Sequence, residues 1–367
     1  MFPFEKILTY IANEQCALVV GPEIMQFEGK PMNMYLRDKL HKQYEGDVTY
    51  YYQNDGLFLF RSDDPSVKSD VALSLRKECN LLPGTPGFDE NILKAVAQLP
   101  FHLIVSINPD TFLSDTFYKY GVRHRFSHFR KGPRPSDEVA PPTREEPLIY
   151  NIAGSVLEDE SLILDYDDLF SLIGSTLGAS TLPTGLLTAL GSIRTFIFLG
   201  FNFEKWHTQI LLRILSGKPA DQKYAGPHKL TPDTHTFLDK QFKIVFWDVN
   251  NGDFLTTFLQ AATDFKDTDP KNANRTFMRP LLEDPLAPEE TNIIREIQNA
   301  RFDKAIARLL DFAKGKAGLE DQAVHLSSRY QHLTKNQTGI DSTAQLTTLN
   351  QITDTAITLA RQIASTP

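Results

Sequence analysis

At 367 residues, with 41% apolar and 11% aromatic content, the chain is too long for one ordinary domain and rich enough to build two cores. The excess of 46 acidic over 38 basic residues, net −8, excludes a broadly basic nucleic-acid-binding face. Cys16 and Cys79 fit neither a metal spacing nor a disulfide framework, and no apolar run approaches the roughly 20 residues that span a bilayer.

Strand-length apolar runs recur along the first two thirds: residues 16–20 (CALVV), 101–107 (FHLIVSI), 148–152 (LIYNI), 195–199 (TFIFL) and 243–247 (KIVFW). They alternate with amphipathic stretches, and each is reached through a long connection. That is the pattern of doubly buried strands in a parallel sheet with helices on both faces. The expected fold class is therefore α/β, a doubly wound, mostly parallel sheet occupying residues 1–268. The basic run at 123–134 (RHRFSHFRKGPR) reads as a solvated helix end entering a loop. Residues 269–290, charged and proline-bearing, read as a linker.

Beyond it the period changes. Residues 292–299, 303–314, 321–335 and 342–364 are expected to be helical, making 291–367 a small all-α bundle. On the last helix Leu346, Leu349, Ile352, Ala356, Leu359, Ala360 and Ile363 form one apolar stripe. The GIDS break supplies a turn, with Asp341 or Ser342 as N-cap. The start MFPFEKIL lacks the layout of a signal peptide, and the expectation is a soluble cytoplasmic protein.

Four strand ends carry polar or glycine residues where α/β sheets bind ligands. Gly21-Pro22-Glu23 follows the first strand; it is either a diphosphate-approach turn or an ordinary strand exit. Asn108-Pro109-Asp110 follows the second, where the two polar residues either orient a ribose and a water or cap the next helix. Gly154-Ser155 follows the third. The acidic trio Asp165, Asp167 and Asp168 just downstream reads as a capped helix start, not a metal site. Gly200 and Asn202 follow the fourth, in FLGFNFEKW.

In this order the four segments, spanning about residues 10–265, resemble the sirtuin-like (Sir2-type) NAD-hydrolase superfamily. The resemblance implies a Rossmann-like sheet, and NAD or a related nucleotide as cofactor without a metal. It also implies a binding site of Gly21, Pro22, Glu23, Asn108, Asp110, Gly154, Ser155, Gly200 and Asn202. Asn108 takes the role of positioning the water or ribose, Asp110 supports it, and the residue before Gly154 should be the histidine base. Here that residue is Ala153, and the family's Gly-Ala-Gly turn is Gly21-Pro22-Glu23. A positioned general base contributes about 10²–10⁴-fold in rate. The expectation is thus a degenerate, scaffold-like domain, with a triggered NAD hydrolase as the alternative. In that case His124, His128, His207, Glu23 or Glu204 would substitute as the base.

Residues 291–365, with ARFDKAIARLLDFA, HLSSRYQHLTKNQ and GIDS, resemble the helical effector-associated domains of bacterial conflict systems. This second resemblance implies an adaptor role in anti-phage defence. It further implies a protein partner bearing a matching helical domain; a homo-oligomer is expected as well, and the charge and hydropathy above speak against nucleic acid or a membrane as partner. A generic bundle that caps or dimerises the first domain is the plain alternative.

Overall fold

The computed structural model describes residues 2–62, 64–131, 139–177, 182–215, 222–226, 230–268, 277–298, 301–316, 318–335 and 342–365. The chain divides into two compact units, Met1–Ser114 with Arg123–Pro280, and Asp115–Val122 with Leu281–Pro367.

The first unit opens with helix α1 (Phe4–Ala12), strand β1 (Cys16–Val20), the hairpin of β2 (Gln26–Phe27) and β3 (Lys30–Pro31), and α2 (Met32–Gln43). A second hairpin, β4 (Val48–Tyr52) and β5 (Leu57–Phe60), precedes α3 (Pro65–Leu81), α4 (Asn91–Gln98) and β6 (Leu103–Ser106); α5 (Phe112–Lys119) follows, and from Asp115 on it belongs to the second unit. Then come β7 (Arg125–His128), β8 (Leu148–Asn151), α6 (Tyr166–Leu177), α7 (Thr184–Ser192), β9 (Thr195–Leu199) and α8 (Trp206–Leu215). The unit's last elements are β10 (Gln222–Ala225), α9 (Pro232–Phe242), β11 (Ile244–Phe246) and α10 (Asn251–Thr268).

Seven strands form one sheet in the order β11-β10-β9-β1-β6-β8-β7, and every neighbouring pair is parallel. The five expected strands are all present, and the fold is the doubly wound, Rossmann-like α/β arrangement. Strand β1 sits in the middle and is buried along its whole length, because both of its faces are covered. Alternate residues Ala17, Val19, Leu103, Val105, Phe196 and Phe198 share one core with side chains of α6, α7, α8 and α9. The chain builds outward from β1 through β6 to one edge, then returns to β9 on the other side. The topological switch point therefore lies between the carboxyl ends of β1 and β9, where such sheets bind ligands.

The basic run is not a helix end. Residues 125–128 form the edge strand β7, and its charges are paired where they stand. Arg123 and Arg125 meet Glu146, while His128 and Arg130 reach Glu158 at 2.9 and 2.8 Å. Lys131 reaches Asp168 at 2.8 Å, and residues 132–134 of the run lie outside the described residues. Opposite charges supplied from far along the chain let a cationic segment sit against the sheet.

Of the segment expected as a linker, 269–276 lies outside the described residues, while 277–280 belongs to the first unit. Phe277 is buried, and Arg279 donates to four carbonyls: Ala97 at 2.9 Å, Leu99 at 3.3 Å, Phe101 at 3.1 Å and Arg144 at 3.2 Å. Burial lowers this guanidinium to about 10, yet it remains charged at neutral pH. It fastens the end of α4 to the start of β6. Arg279→Met should cost about 3 kcal/mol or more: charge-assisted bonds to buried carbonyls are each worth roughly 1.5–3 kcal/mol, and the cost of keeping the guanidinium out of water offsets part of their sum. Urea unfolding followed at the sheet would measure it, and an unchanged midpoint would refute the fastening role.

The second unit contains α11 (Pro288–Gln298), α12 (Phe302–Ala313), α13 (Leu319–Lys335) and α14 (Ser342–Ser365). Its core joins Ile293, Leu309, Leu326, Ile352, Leu359 and Ile363. The stripe expected on the last helix is there: Ile352, Ala356, Leu359, Ala360 and Ile363 are at most 2% exposed, and Leu349 is half-buried. Asp341 and the side chain of Leu346 lie outside the described residues. At the unit's other end Arg295 pairs with Asp115 at 2.7 Å, and the Leu282 and Leu286 amides donate to Tyr120 and Lys119 at 3.1 and 2.8 Å.

Candidate functional site

A cavity of about 130 Å³ lies over the carboxyl ends of β1, β6 and β8, bordered also by α2, the β4–β5 hairpin and α8. Its walls are mainly apolar, with Ile24, Leu36, Leu57, Ile107, Ile149 and Leu211 among them. Pro22, Asn108, Asp110, Ala153 and His207, from the sequence-derived candidates, line it too.

Asn108 ties two strand ends together. Its Nδ2 donates to the Gly21 carbonyl at 3.1 Å, and its amide donates to Ser106 Oγ at 3.0 Å. Its Oδ1 is buried without a hydrogen-bond partner. Asp110 accepts from the Phe112 amide at 3.1 Å, a cap on α5, and its own carbonyl accepts from Asn151 Nδ2 at 2.8 Å. Ala153 presents a half-buried methyl to the same space.

The other candidates are elsewhere. Ser155 is fully buried: its amide donates to Ser161 Oγ at 2.8 Å, and its hydroxyl accepts from the Leu157 amide at 3.2 Å. Gly154 backs onto Ser161, where a methyl would stand 2.6 Å from the carbonyl carbon. These two residues shape the β8 exit. Glu23 and Gly200 border a separate hollow of about 140 Å³ with Phe201, Phe203 and Asn250, and Asn202 accepts from the Glu204 amide at 3.1 Å. Asp165 and Asp168 form the helix start expected of them. The Asp168 amide donates to Asp165 Oδ1 at 2.9 Å, and Asp168 accepts from the Leu164 amide at 2.9 Å. Burial pushes the Asp168 carboxyl up, but Lys131, the Leu164 amide and Lys68 outweigh it and hold the group below the usual range.

At the switch point the chain fills its own crevice. The Gly21 amide donates to Leu199 at 2.7 Å, the Glu23 amide to Gly200 at 2.8 Å, and Pro22 has no N–H. The amides that cradle a diphosphate in such folds are therefore already bonded to the β9 exit. Contact is close enough that a methyl on Gly21 would stand 2.7 Å from the Gly200 carbonyl carbon and from Phe201 Cδ2. Instead of opening a helix, this turn leads into the β2–β3 hairpin, so no helix N-terminus backs it. In this arrangement the two turns leave no free amides for a diphosphate. The cavity that remains is under half of the roughly 300–1,000 Å³ of ordinary ligand sites.

Of the three histidines considered, His207 lines the cavity. His124 bonds Ser114 Oγ at 2.8 Å within the core, and His128 is engaged by Glu158. Burial pushes His207 down to about 4, against the pull of Asp55, so its ring is neutral at pH 7. Its Nδ1 stands 3.6 Å from Asp55 Oδ1 and has no hydrogen-bond partner, while Asp55 Oδ2 accepts from the Tyr166 hydroxyl at 2.6 Å.

Sequence reading missed several polar lining residues, Asn33, Arg37 and Asp55 among them. Asn33 and Arg37 lie four apart on α2, beside Met32, Leu36 and Leu40 on its buried face. A polar pair at that spacing inside an apolar stripe was the available signal. Asp55 sits in a hairpin turn and left none.

A family model described as a SIR2-like domain matches residues 102–232. The match supports a Sir2-type domain in the α/β unit and spans β6 to β10. It takes in Asn108, Ala153, Gly154, Gly200 and His207, while Gly21, Arg37 and Asp55 fall before it. No curated protein matches the chain. The likeness is compatible with NAD as a ligand. Among the described residues no cluster of His, Cys, Asp and Glu could hold a metal, and no helix is long and apolar enough to cross a membrane.

Proposed function

We propose that this chain is a bacterial anti-phage immunity protein whose SIR2-like domain is a binding or oligomerising module without efficient NAD hydrolysis, and whose helical tail recruits a protein partner bearing a matching domain. The observation that carries the first half is the closed switch point, where the Gly21 and Glu23 amides are bonded within the chain. Ala153 at the position of the base supports it, since a methyl accepts no proton. The four-helix tail and its resemblance to effector-associated domains support the adaptor half. The α14 stripe is internal to the bundle, so the recruiting surface falls on its polar faces.

One observation favours a second reading, a triggered NAD hydrolase. His207 is a neutral imidazole in the cavity that Asn108 lines, with Asp55 beside it. That reading requires the Gly21 and Gly200 turns to part.

Purified protein, alone and with its neighbouring gene product, should release no nicotinamide from NAD above the level of Asn108→Ala. Turnover that Asn108→Ala and His207→Ala both abolish would replace the first reading with the second.

A further inference from the structure

Four buried polar atoms without hydrogen-bond partners belong to residues that line the cavity over β1, β6 and β8: Asn33 Oδ1, Arg37 Nη1, Asn108 Oδ1 and His207 Nδ1. A folded protein pairs nearly all such atoms, and a group of them around one space marks a place where a ligand supplies the missing partners. Arg37 is the most telling. It is 9% exposed, its Nη2 donates to the Ile163 carbonyl at 3.0 Å, and its guanidinium lies 5.6 Å from the Phe58 ring. Among the described residues no carboxylate stands within ion-pair distance of it. Asp168, the carboxylate that acts on it from further away, is already engaged by Lys131 and Lys68. A buried cation with one free edge and no counter-ion calls for an anion.

We infer that this cavity binds a small organic anion of single-ring size, its carboxylate or phosphate held by Arg37 and its N–H or O–H donors received by Asn33 and Asn108. The inference rests on reading the domain as a binding module, and it names the class of ligand. Size sets the limit: about 130 Å³ is close to the roughly 150 Å³ cavity that admits one benzene ring. The apolar walls suit a ring, and the two acidic groups of the lining are already engaged. Asp55 accepts from Tyr166 and Asp110 caps α5, so the anion is directed to the Arg37 end. His207, neutral at pH 7, adds no charge of its own.

Titration calorimetry on the full chain with benzoate, ribose 5-phosphate and neutral benzamide tests this. One of the two anions should bind at least tenfold more tightly than benzamide; benzoate would identify a ring carboxylate and ribose 5-phosphate a sugar phosphate. Arg37→Leu should weaken that binding at least tenfold without lowering the ligand-free Tm, and Arg37→Lys should retain part of it. Failure of both anions, equal binding of benzamide, or unchanged binding by Arg37→Leu would overturn the site. NAD turnover by wild type with anion binding intact would sink the proposed function and leave this site standing. Absent anion binding without turnover would do the reverse.

Discussion

Gly200→Ala is expected to destabilise the α/β unit by about 4 kcal/mol or more. Gly200 has φ +70°, a left-handed conformation that costs an L-residue roughly 1–2 kcal/mol. A methyl there would also stand 2.5 Å from Ile24 Cα and closer still to the Ile24 amide nitrogen, so the turn after β1 must withdraw. Withdrawal breaks the bonds from Gly21 to Leu199 and from Glu23 to Gly200, each worth about 1 kcal/mol. At roughly 2–4 °C per kcal/mol for a domain of this size, Tm should fall by about 8–16 °C. A fall of only a few degrees would mean that the two turns part easily. The switch point would then be open to a nucleotide, and the hydrolase reading would gain.

Ile352→Asp should unfold the helical unit. Ile352 is fully buried in a core with Ile293, Leu309, Leu326 and Leu359. Truncating such a side chain alone costs about 2–5 kcal/mol, and an unpaired carboxylate in the cavity adds to it. A bundle of about 80 residues holds only roughly 4–12 kcal/mol in total at about 0.05–0.15 kcal/mol per residue. Leu349→Asp, at a half-buried position, should cost nearer 1 kcal/mol. Amide hydrogen exchange would separate the two variants, with protection lost across α11–α14 only for Ile352→Asp. Protection retained in Ile352→Asp would show that this core is not what holds the unit together.

Those two variants also show where sequence reading works. Doubly buried strands such as CALVV and TFIFL announce themselves because both faces must be apolar, and the α14 stripe announces itself through its period. QKYA does not, yet it forms β10 inside the sheet. Lys223 lies there 4% exposed with its Nζ donating to the Phe242 carbonyl at 2.9 Å, a tertiary partner invisible in the local pattern. RFSH was hidden in the same way, because its partners Glu146 and Glu158 come from distant loops.

For the candidate site, the strand-end residues were legible because glycine, asparagine and aspartate after a buried strand form a local pattern. Gly154 and Ser155 share that pattern, but Ser161 decides that they shape a loop. Arg37 and Asp55 join the cavity through α2 and a hairpin that only the folded chain brings over the sheet. What converges from afar cannot be read from spacing.

The position of β1 has a consequence for synthesis. Its partner β9 pairs Thr195 with Cys16, so 195 − 16 = 179 residues separate the two. At about 5–20 residues per second, the ribosome needs roughly 9–36 s to deliver that second neighbour. Throughout this interval a wholly apolar strand of the sheet has an open edge, which is a template for unwanted pairing between nascent chains. The middle strand of the finished sheet is thus one that stays exposed to such pairing until TFIFL emerges.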